Sequence, residues 1–266
     1  KSQMCLTYTT FCNFYTLYVK IHLERRLLTM PQPHETWSMY YDFVYQTSFG
    51  TSYQQITENN LNWIVENVPT NSKIFDIGAG TGRLAIPLTI IGYEVTALDQ
   101  SKALLQILQE RANADNLQIK YINTEIENYN EEEQYDLVIC LFTTMNYIVD
   151  ENSLRRSIEK IINSTKNGDK ILFDLAERVA FKSYSAKILQ GIRRVTITPL
   201  GNDIYEYQEK TYGVMNDKNF NYSDIFNIKF WHSNFVEEIF NSFGQDDFRE
   251  IPSQIYGHKN FLVIKN

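Results

Sequence analysis

Between residues 71 and 175 short apolar runs alternate with helical stretches, and this alternation is the strongest constraint on how the chain folds. The runs at 73–77, 94–98, 118–122, 135–141 and 170–174 are strand-sized and bounded by turn residues. Residues 82–91, 101–113 and 151–164 lie between them with apolar positions at helical intervals. Parallel neighbours need a crossover long enough to return to the same edge, so this order predicts a parallel sheet with right-handed connections.

The flanks follow other patterns. Over 37–68, residues such as Tyr41, Tyr45, Leu61, Ile64, Val65 and Val68 recur at helical spacing, predicting two helices parted near Gly50 and stopped by Pro69. Beyond Asp174 the alternation ceases, and 193–198, 204–214 and 222–231 are long β-like segments joined by turn-rich residues 199–203 and 216–219. They predict an inserted antiparallel sheet. A helix is expected from about Asn234, whose spacing to Glu237 fits a capping box, to Gly244. Segments 248–255 and 260–265 read as a closing hairpin with Tyr256 and Gly257 in its turn. The organisation expected is a leader (1–29) outside the core, with Met30 as the natural start, then a helical lid (30–70), a core (71–175 with 232–266) and an antiparallel cap (176–231). A docked helix over 11–28 is the rival for the leader. A signal peptide is disfavoured because Cys12, Asn13 and Lys20 interrupt any apolar stretch. The acidic run 131–133 reads as a solvated turn.

Composition narrows the function. The chain of 266 residues carries 25 basic and 32 acidic side chains, a net charge of −7, with no basic stripe, which argues against nucleic acid. No stretch approaches the ~20 apolar residues of a membrane helix. Three cysteines (Cys5, Cys12 and Cys140) form neither a disulfide framework nor a zinc pattern, so a reducing, cytoplasmic setting is expected, with no metal site.

The informative motif is Asp76-Ile77-Gly78-Ala79-Gly80-Thr81-Gly82, where a strand ends and a helix begins. Alternate glycines let the backbone turn sharply and approach a ligand that a Cβ would exclude. Asp99 closes the next strand, where a carboxylate can accept from both hydroxyls of a ribose. The spacing Gly-x-Gly-x-Gly departs from the dinucleotide fingerprint, and an acid two positions before the first glycine would repel a pyrophosphate but suits an ammonium.

This stretch resembles motif I of the class I S-adenosylmethionine (SAM) dependent methyltransferases, and the resemblance extends from Lys73 to the C-terminus. It implies an α/β, Rossmann-like fold: a seven-stranded mixed sheet with a helical lid and an inserted antiparallel β cap. It also implies SAM as cofactor, with Asp76 meeting its methionine part and Gly78, Ala79, Gly80 and Gly82 forming the loop. Asp99 matches the family's ribose-binding acid. Glu125 stands where the family usually has an Asp beside adenine, with Ile126 as the apolar neighbour, and Leu141 ends the motif IV strand. The following Phe142-Thr143-Thr144-Met145-Asn146-Tyr147 is neither the Asn-Pro-Pro-Tyr type nor the Pro-Cys type of the nucleic-acid-modifying subclasses, which points to a small molecule. The chain is most similar to small-molecule N-methyltransferases, including those of amino-sugar biosynthesis, through Tyr41-Asp42-Phe43-Val44-Tyr45, the inserted sheet and Trp231-His232.

The expected reaction is methyl transfer to a small-molecule amine; the alternatives are a small-molecule O-methyltransferase or a SAM- or nucleoside-binding protein without activity. Three residues are candidates for catalysis, each with a plainer role. His232 is a base at the site edge or a packing residue. Tyr41, one turn from Tyr45, faces the sulfonium, worth roughly 0.5–2 kcal/mol, or packs in the core. Asp174, at the end of the fifth strand, contacts substrate or caps a turn. Arg83, beside the loop at a helix N-terminus, answers an anion or pairs at the surface. His34 precedes the first helix, His258 is expected to be exposed in the closing turn, and Cys140 is expected in the core. The oligomeric state is not legible.

Overall fold

The computed structural model describes residues 32–130, 134–188, 190–253 and 255–266. The expectations for the leader (1–29) and the acidic run 131–133 therefore lie outside the described residues.

Among the described residues two helices come first, α1 (Tyr41–Phe49) and α2 (Thr51–Asn67), after a 3-10 turn at Glu35–Tyr40. Gly50 parts them with φ 55°, the left-handed region that a Cβ disfavours. The core follows as β1 (Lys73–Ile77), α3 (Ala85–Ile91), β2 (Glu94–Asp99), α4 (Lys102–Ala114), β3 (Lys120–Asn123), β4 (Tyr135–Cys140), α5 (Glu151–Ser164) and β5 (Thr165–Ala176). The cap comprises β6 (Tyr184–Ile188), β7 (Gly191–Gly201), β8 (Ile204–Met215) and β9 (Lys218–Lys229), and α6 (Ser233–Ser242), β10 (Phe248–Ile251) and β11 (His258–Ile264) close the chain.

One sheet has the order β10-β11-β5-β4-β1-β2-β3, and the other the order β6-β7-β8-β9. In the first, β1, β2, β3, β4 and β5 pair in parallel, and β11 runs antiparallel to both β5 and β10. The parallel strands and the antiparallel cap are those that the alternation and its interruption predict, and the seven-stranded mixed sheet is the one that the resemblance implies. The order reverses direction at β1, so the loops after β1 and β4 diverge and open a crevice at the carboxyl edge of the strands. Phe75, Val138, Ile171, Phe173 and Phe261 fill one face of the sheet with α5 and α6; Ile74, Leu137, Ile139 and Leu172 fill the other with α3 and α4. Among the described residues no helix is long and apolar enough to cross a membrane.

Four local expectations change. Residues 80–84 are turns rather than the first turn of α3, because Gly80 and Gly82 sit at φ 55° and 93°. The cap has four strands, not three; β6 was missed because Tyr184–Ile188 is short and largely exposed, with little apolar alternation. The last helix begins at Ser233 with His232 as its N-cap, not with a capping box at Asn234. β5 runs from Thr165, ahead of the apolar run at 170–174.

The N-terminal segment is tied to the core through charged side chains. Asp42 accepts from Thr81 Oγ1 at 2.8 Å and pairs with Arg111 at 2.5 Å. Glu35 accepts from Ser101 Oγ and, at 3.3 Å, from Ala103 N, so it lies over the N-terminus of α4. An acid there meets free backbone N–H groups and the positive end of the helix dipole. On its other side the segment packs Trp37, Val44, Tyr45 and Tyr53 against Phe220 and Tyr222 of the cap.

Candidate active site

The crevice above β1 and β4 is a cavity of about 810 Å³ whose walls come from the glycine loop, the ends of β2, β3 and β4, the helical lid and the cap. Its two halves are built differently.

In the first half, the turn after β1 is pinned by Leu98 O, which accepts from Gly78 N at 2.8 Å and Ala79 N at 3.0 Å. The three glycines have distinct reasons to lack a side chain. A Cβ at Gly78 would lie 2.3 Å from Thr144 Oγ1, so this glycine lets the loops after β1 and β4 close on each other. A Cβ at Gly82 would lie 2.3 Å from Leu108, so Gly82 seats α4 and does not line the cavity, which corrects its expected place at the ligand. Gly80, at φ 55°, has nothing within 4 Å of an added Cβ, and its bare backbone faces the cavity. Asp99 accepts from Gly80 N through Oδ2 and from Ser101 N through Oδ1, both at 2.8 Å. Each oxygen keeps a lone pair for a ligand hydroxyl. Burial pushes Asp99 up to about 6 against the pull of the Ser101 and Gly80 N–H groups. Asp76, buried beside the loop, is pushed by burial up to about 7, with Arg83 opposing and Asp99 adding to the rise. Two desolvated carboxyls of raised pKa along one wall fit a ligand that brings hydroxyl donors to one and a positive charge to the other. Glu125, Ile126 and Leu141 line the same half.

The second half is aromatic. Tyr41 and Tyr45 line it with ring centroids 4.6 Å apart, and Tyr45 meets Phe142 at 5.8 Å. Arg83 lies 5.0 Å from the Phe142 ring on the cavity wall, not at the surface. Phe142 and Thr143 both have φ near 70°, a costly conformation for residues with a Cβ. Asp174 holds this loop by accepting from Thr143 N at 2.9 Å. Its other oxygen, Oδ2, is 3.1 Å from His258 Nδ1. A carboxylate partner makes Nδ1 the donor, so the neutral ring carries its lone pair on Nε2. The His258 side chain is 7 % exposed and lines the cavity, against the expectation of an exposed turn residue. Asp174 sits behind His258 and Thr143 and does not itself line the cavity.

His232 is not part of this arrangement. Its side chain is 82 % exposed, 3.5 Å from Asp203, and absent from the cavity wall, because the N-cap of α6 faces away from the crevice. His34, in contrast, lines the cavity with Nε2 2.9 Å from the Tyr147 hydroxyl. Burial lowers its pKa to about 4, so it is neutral near pH 7. His34 and His258 were missed because each reaches the site through tertiary packing, one at φ 68° just before the 3-10 turn at Glu35–Tyr40 and one just past a turn. The only signal for His258 was the register of the closing hairpin, which sets His258 against Ala176, two residues from Asp174. Cys140 is buried at the end of β4, as expected.

Residues 74–168 match the family described as a methyltransferase domain. The ubiquinone biosynthesis O-methyltransferase of Vibrio atlanticus is 29 % identical over 156 residues, 57 % of this chain and 64 % of that protein. The chain spans less than two thirds of the length of the curated relatives it matches. Among solved structures, a S-adenosylmethionine-dependent methyltransferase from Clostridium acetobutylicum superposes with a TM-score of 0.73 at 15 % identity, over 86 % of this chain and 99 % of that one. CalS10, an amino pentose methyltransferase from Micromonospora echinaspora, gives 0.68 at 14 % identity, over 85 % and 96 %.

Proposed function

We propose that this chain, built on a methyltransferase domain with the class I fold, is a SAM-dependent methyltransferase that modifies an amine nitrogen of a small polar molecule. The observation that carries the reading is the continuity of one cavity from the bare backbone of Gly80 and the carboxyls of Asp76 and Asp99 to the ring-lined compartment of Tyr41, Tyr45 and Phe142. That continuity suits two ligands meeting end to end. When bound, SAM supplies an electrophilic methyl group on a sulfonium.

Asp76 suits its ammonium, and Arg83, on the same wall, suits its carboxylate. Asp99 offers lone pairs to two ribose hydroxyls, while Glu125, with Ile126 and Leu141, suits the base. Tyr41 and Tyr45 exclude water and offer negative ring faces to cationic groups. An amine arrives as ammonium and must lose a proton before its lone pair can attack. His258 Nε2 is suited to take that proton, and Asp174 fixes the ring and offsets the imidazolium charge through Nδ1. Asp174 is thus a positioning residue for both His258 and the Phe142–Thr143 loop, and His258 replaces His232 as the proposed base. The rest of the catalysis is alignment and exclusion of water.

A second reading is favoured by the same dyad: a histidine held by a carboxylate can also deprotonate a hydroxyl, and the Vibrio relative is named as an O-methyltransferase. Labelled SAM with a panel of amino alcohols, amino sugars, phenols and carboxylates decides between the two. Methylation of amines alone is expected. Transfer only to phenols or carboxylates overturns the amine, and no transfer with SAM bound leaves a binding protein.

A further inference from the structure

Deep in the cap, Arg193 of β7 is 1 % exposed and yet reaches the cavity wall. Its Nε and Nη2 are bound to the two oxygens of Glu209 at 3.0 and 2.8 Å, and Nη2 also lies 3.1 Å from the Tyr207 hydroxyl. Glu209 is saturated in turn, accepting from Tyr222 at 2.6 Å, and from Thr211 and Tyr207 at 3.1 Å. Nη1 has no partner among the described residues. A buried guanidinium nitrogen left with two free N–H donors is costly, and native interiors rarely tolerate it. The guanidinium stands 5.0 Å from the Tyr45 ring, so it borders the aromatic compartment where the acceptor is read to bind.

The charges around it define what it can hold. Glu209 already matches Arg193, and a second carboxylate, Asp224, lies behind the cavity-lining His34, accepting from His34 N at 2.9 Å and Trp37 Nε1 at 2.8 Å. His34 is neutral near pH 7 and does not offset it. The formal sum of Arg193, Glu209 and Asp224 is negative, so an anion at Nη1 would gain one cation already spoken for and meet two acids. A neutral oxygen would take the free N–H groups without that repulsion.

We propose that Arg193 Nη1 forms an oxygen-recognition subsite in the cap, which selects amines that carry a neutral hydroxyl or carbonyl at the end remote from the reacting nitrogen. This rests on the reading of the cavity as an acceptor site and adds the class of acceptor. Arg193 orients substrate and takes no part in the proton transfer.

The test uses full-length protein and matched ligands: an aminocyclitol, its deoxy counterparts, and an amine of the same size bearing a carboxylate instead. Binding is read by calorimetry and turnover by labelled SAM. The hydroxylated amine should bind at least about tenfold more tightly than the deoxy amine, as expected for a lost hydrogen bond to a charged donor. The carboxylate should bind worst. Arg193→Lys retains a cation against Glu209 but lacks Nη1, and should narrow the hydroxyl-to-deoxy ratio to within about threefold. Unchanged SAM affinity in the variant reports that it is folded. If Arg193→Lys does not fold, Arg193→Met with Glu209→Gln removes both partners of the buried pair together, and the same narrowing is expected. An equal preference in wild type and variant overturns the subsite and makes Arg193 a purely structural residue. Tighter binding of the carboxylate overturns the neutral-oxygen assignment. Because binding is read apart from turnover, a ligand panel that binds with this preference but is not methylated counts against the proposed reaction and not against the subsite.

Discussion

The two halves of the cavity are held together by different forces. Around the glycine loop, the wall is backbone: Leu98 O takes two N–H groups and Asp99 takes two more, all within the β1-to-α4 stretch. The aromatic half, proposed to take the acceptor, draws on His34, Tyr45, Phe142, Arg193 and Tyr207, which come from the lid, the β4 loop and the cap, and it depends on ring packing and the buried Arg193–Glu209 ion pair. A wall of backbone hydrogen bonds tolerates changes of side chain and serves a constant ligand. A wall of side chains from distant segments can be re-cut for a new acceptor, but each piece depends on its neighbours.

That dependence gives the largest expected effect. Burial alone raises Glu209, but the Arg193 charge and the hydrogen bonds given to it hold its pKa below the usual value, so the pair is ionised. Glu209→Ala leaves a buried guanidinium unmatched and should cost about 3–5 kcal/mol in denaturant unfolding. If the halves are independent, protein that remains folded keeps its SAM affinity within a few-fold. A parallel collapse of SAM binding in folded protein would break the comparison.

Next in size is the proposed proton acceptor. His258→Gln should lower kcat by about 10²-fold with SAM affinity nearly unchanged. His232→Gln, at an exposed position away from the cavity, should change kcat by less than about twofold. If His232→Gln proves the more damaging, the assignment of the base is reversed.

The same division explains what could be read before folding. The sheet, the cap and the glycine loop were legible because periodicity and short motifs are local, and Asp76, Asp99, Ile126 and Leu141, singled out by the motif, line the cavity. Gly82 was misread because a packing glycine and a ligand-approach glycine look alike in sequence, and only the 2.3 Å approach of Leu108 tells them apart. His258 and Arg193 carried no local signal. One depends on the register of the hairpin with β5, the other on which face of β7 turns inward. His232 attracted attention through its Trp-His neighbourhood, yet Trp231 is the inward residue, donating from Nε1 to Ile148 O at 2.8 Å, while His232 caps α6.

Asp99→Ala sharpens the backbone side of the comparison. It removes the acceptor that orders Gly80 and Ser101 as well as the lone pairs proposed to meet the ribose, so SAM affinity should fall at least about tenfold by calorimetry. Acceptor affinity in the cap should move less. An unchanged SAM affinity would remove Asp99 from the site.

The smallest effect is a pH dependence set by Asp76. With its pKa raised to about 7 by burial, this carboxyl is half protonated at neutral pH in the free protein. Its ionised form is the costly one, so it contributes stability to the ligand-free fold below the unfolded carboxylate range and loses that contribution as pH rises through 7. A bound ammonium reverses the balance by favouring the ionised form. SAM affinity should therefore rise severalfold between pH 6 and pH 7, before an α-amino group of pKa about 7.7–8.0 loses much of its own proton. Asp99, raised to about 6, adds a second decline at the acid end of that range. The shift in Tm that SAM produces should grow over the same interval. Asp76→Asn cannot titrate and should flatten the profile, leaving only the shallower Asp99 step. A profile that stays steep around pH 7 in Asp76→Asn would move the titrating group elsewhere in the cavity, and a flat wild-type profile would mean that Asp76 does not face the ligand's positive charge.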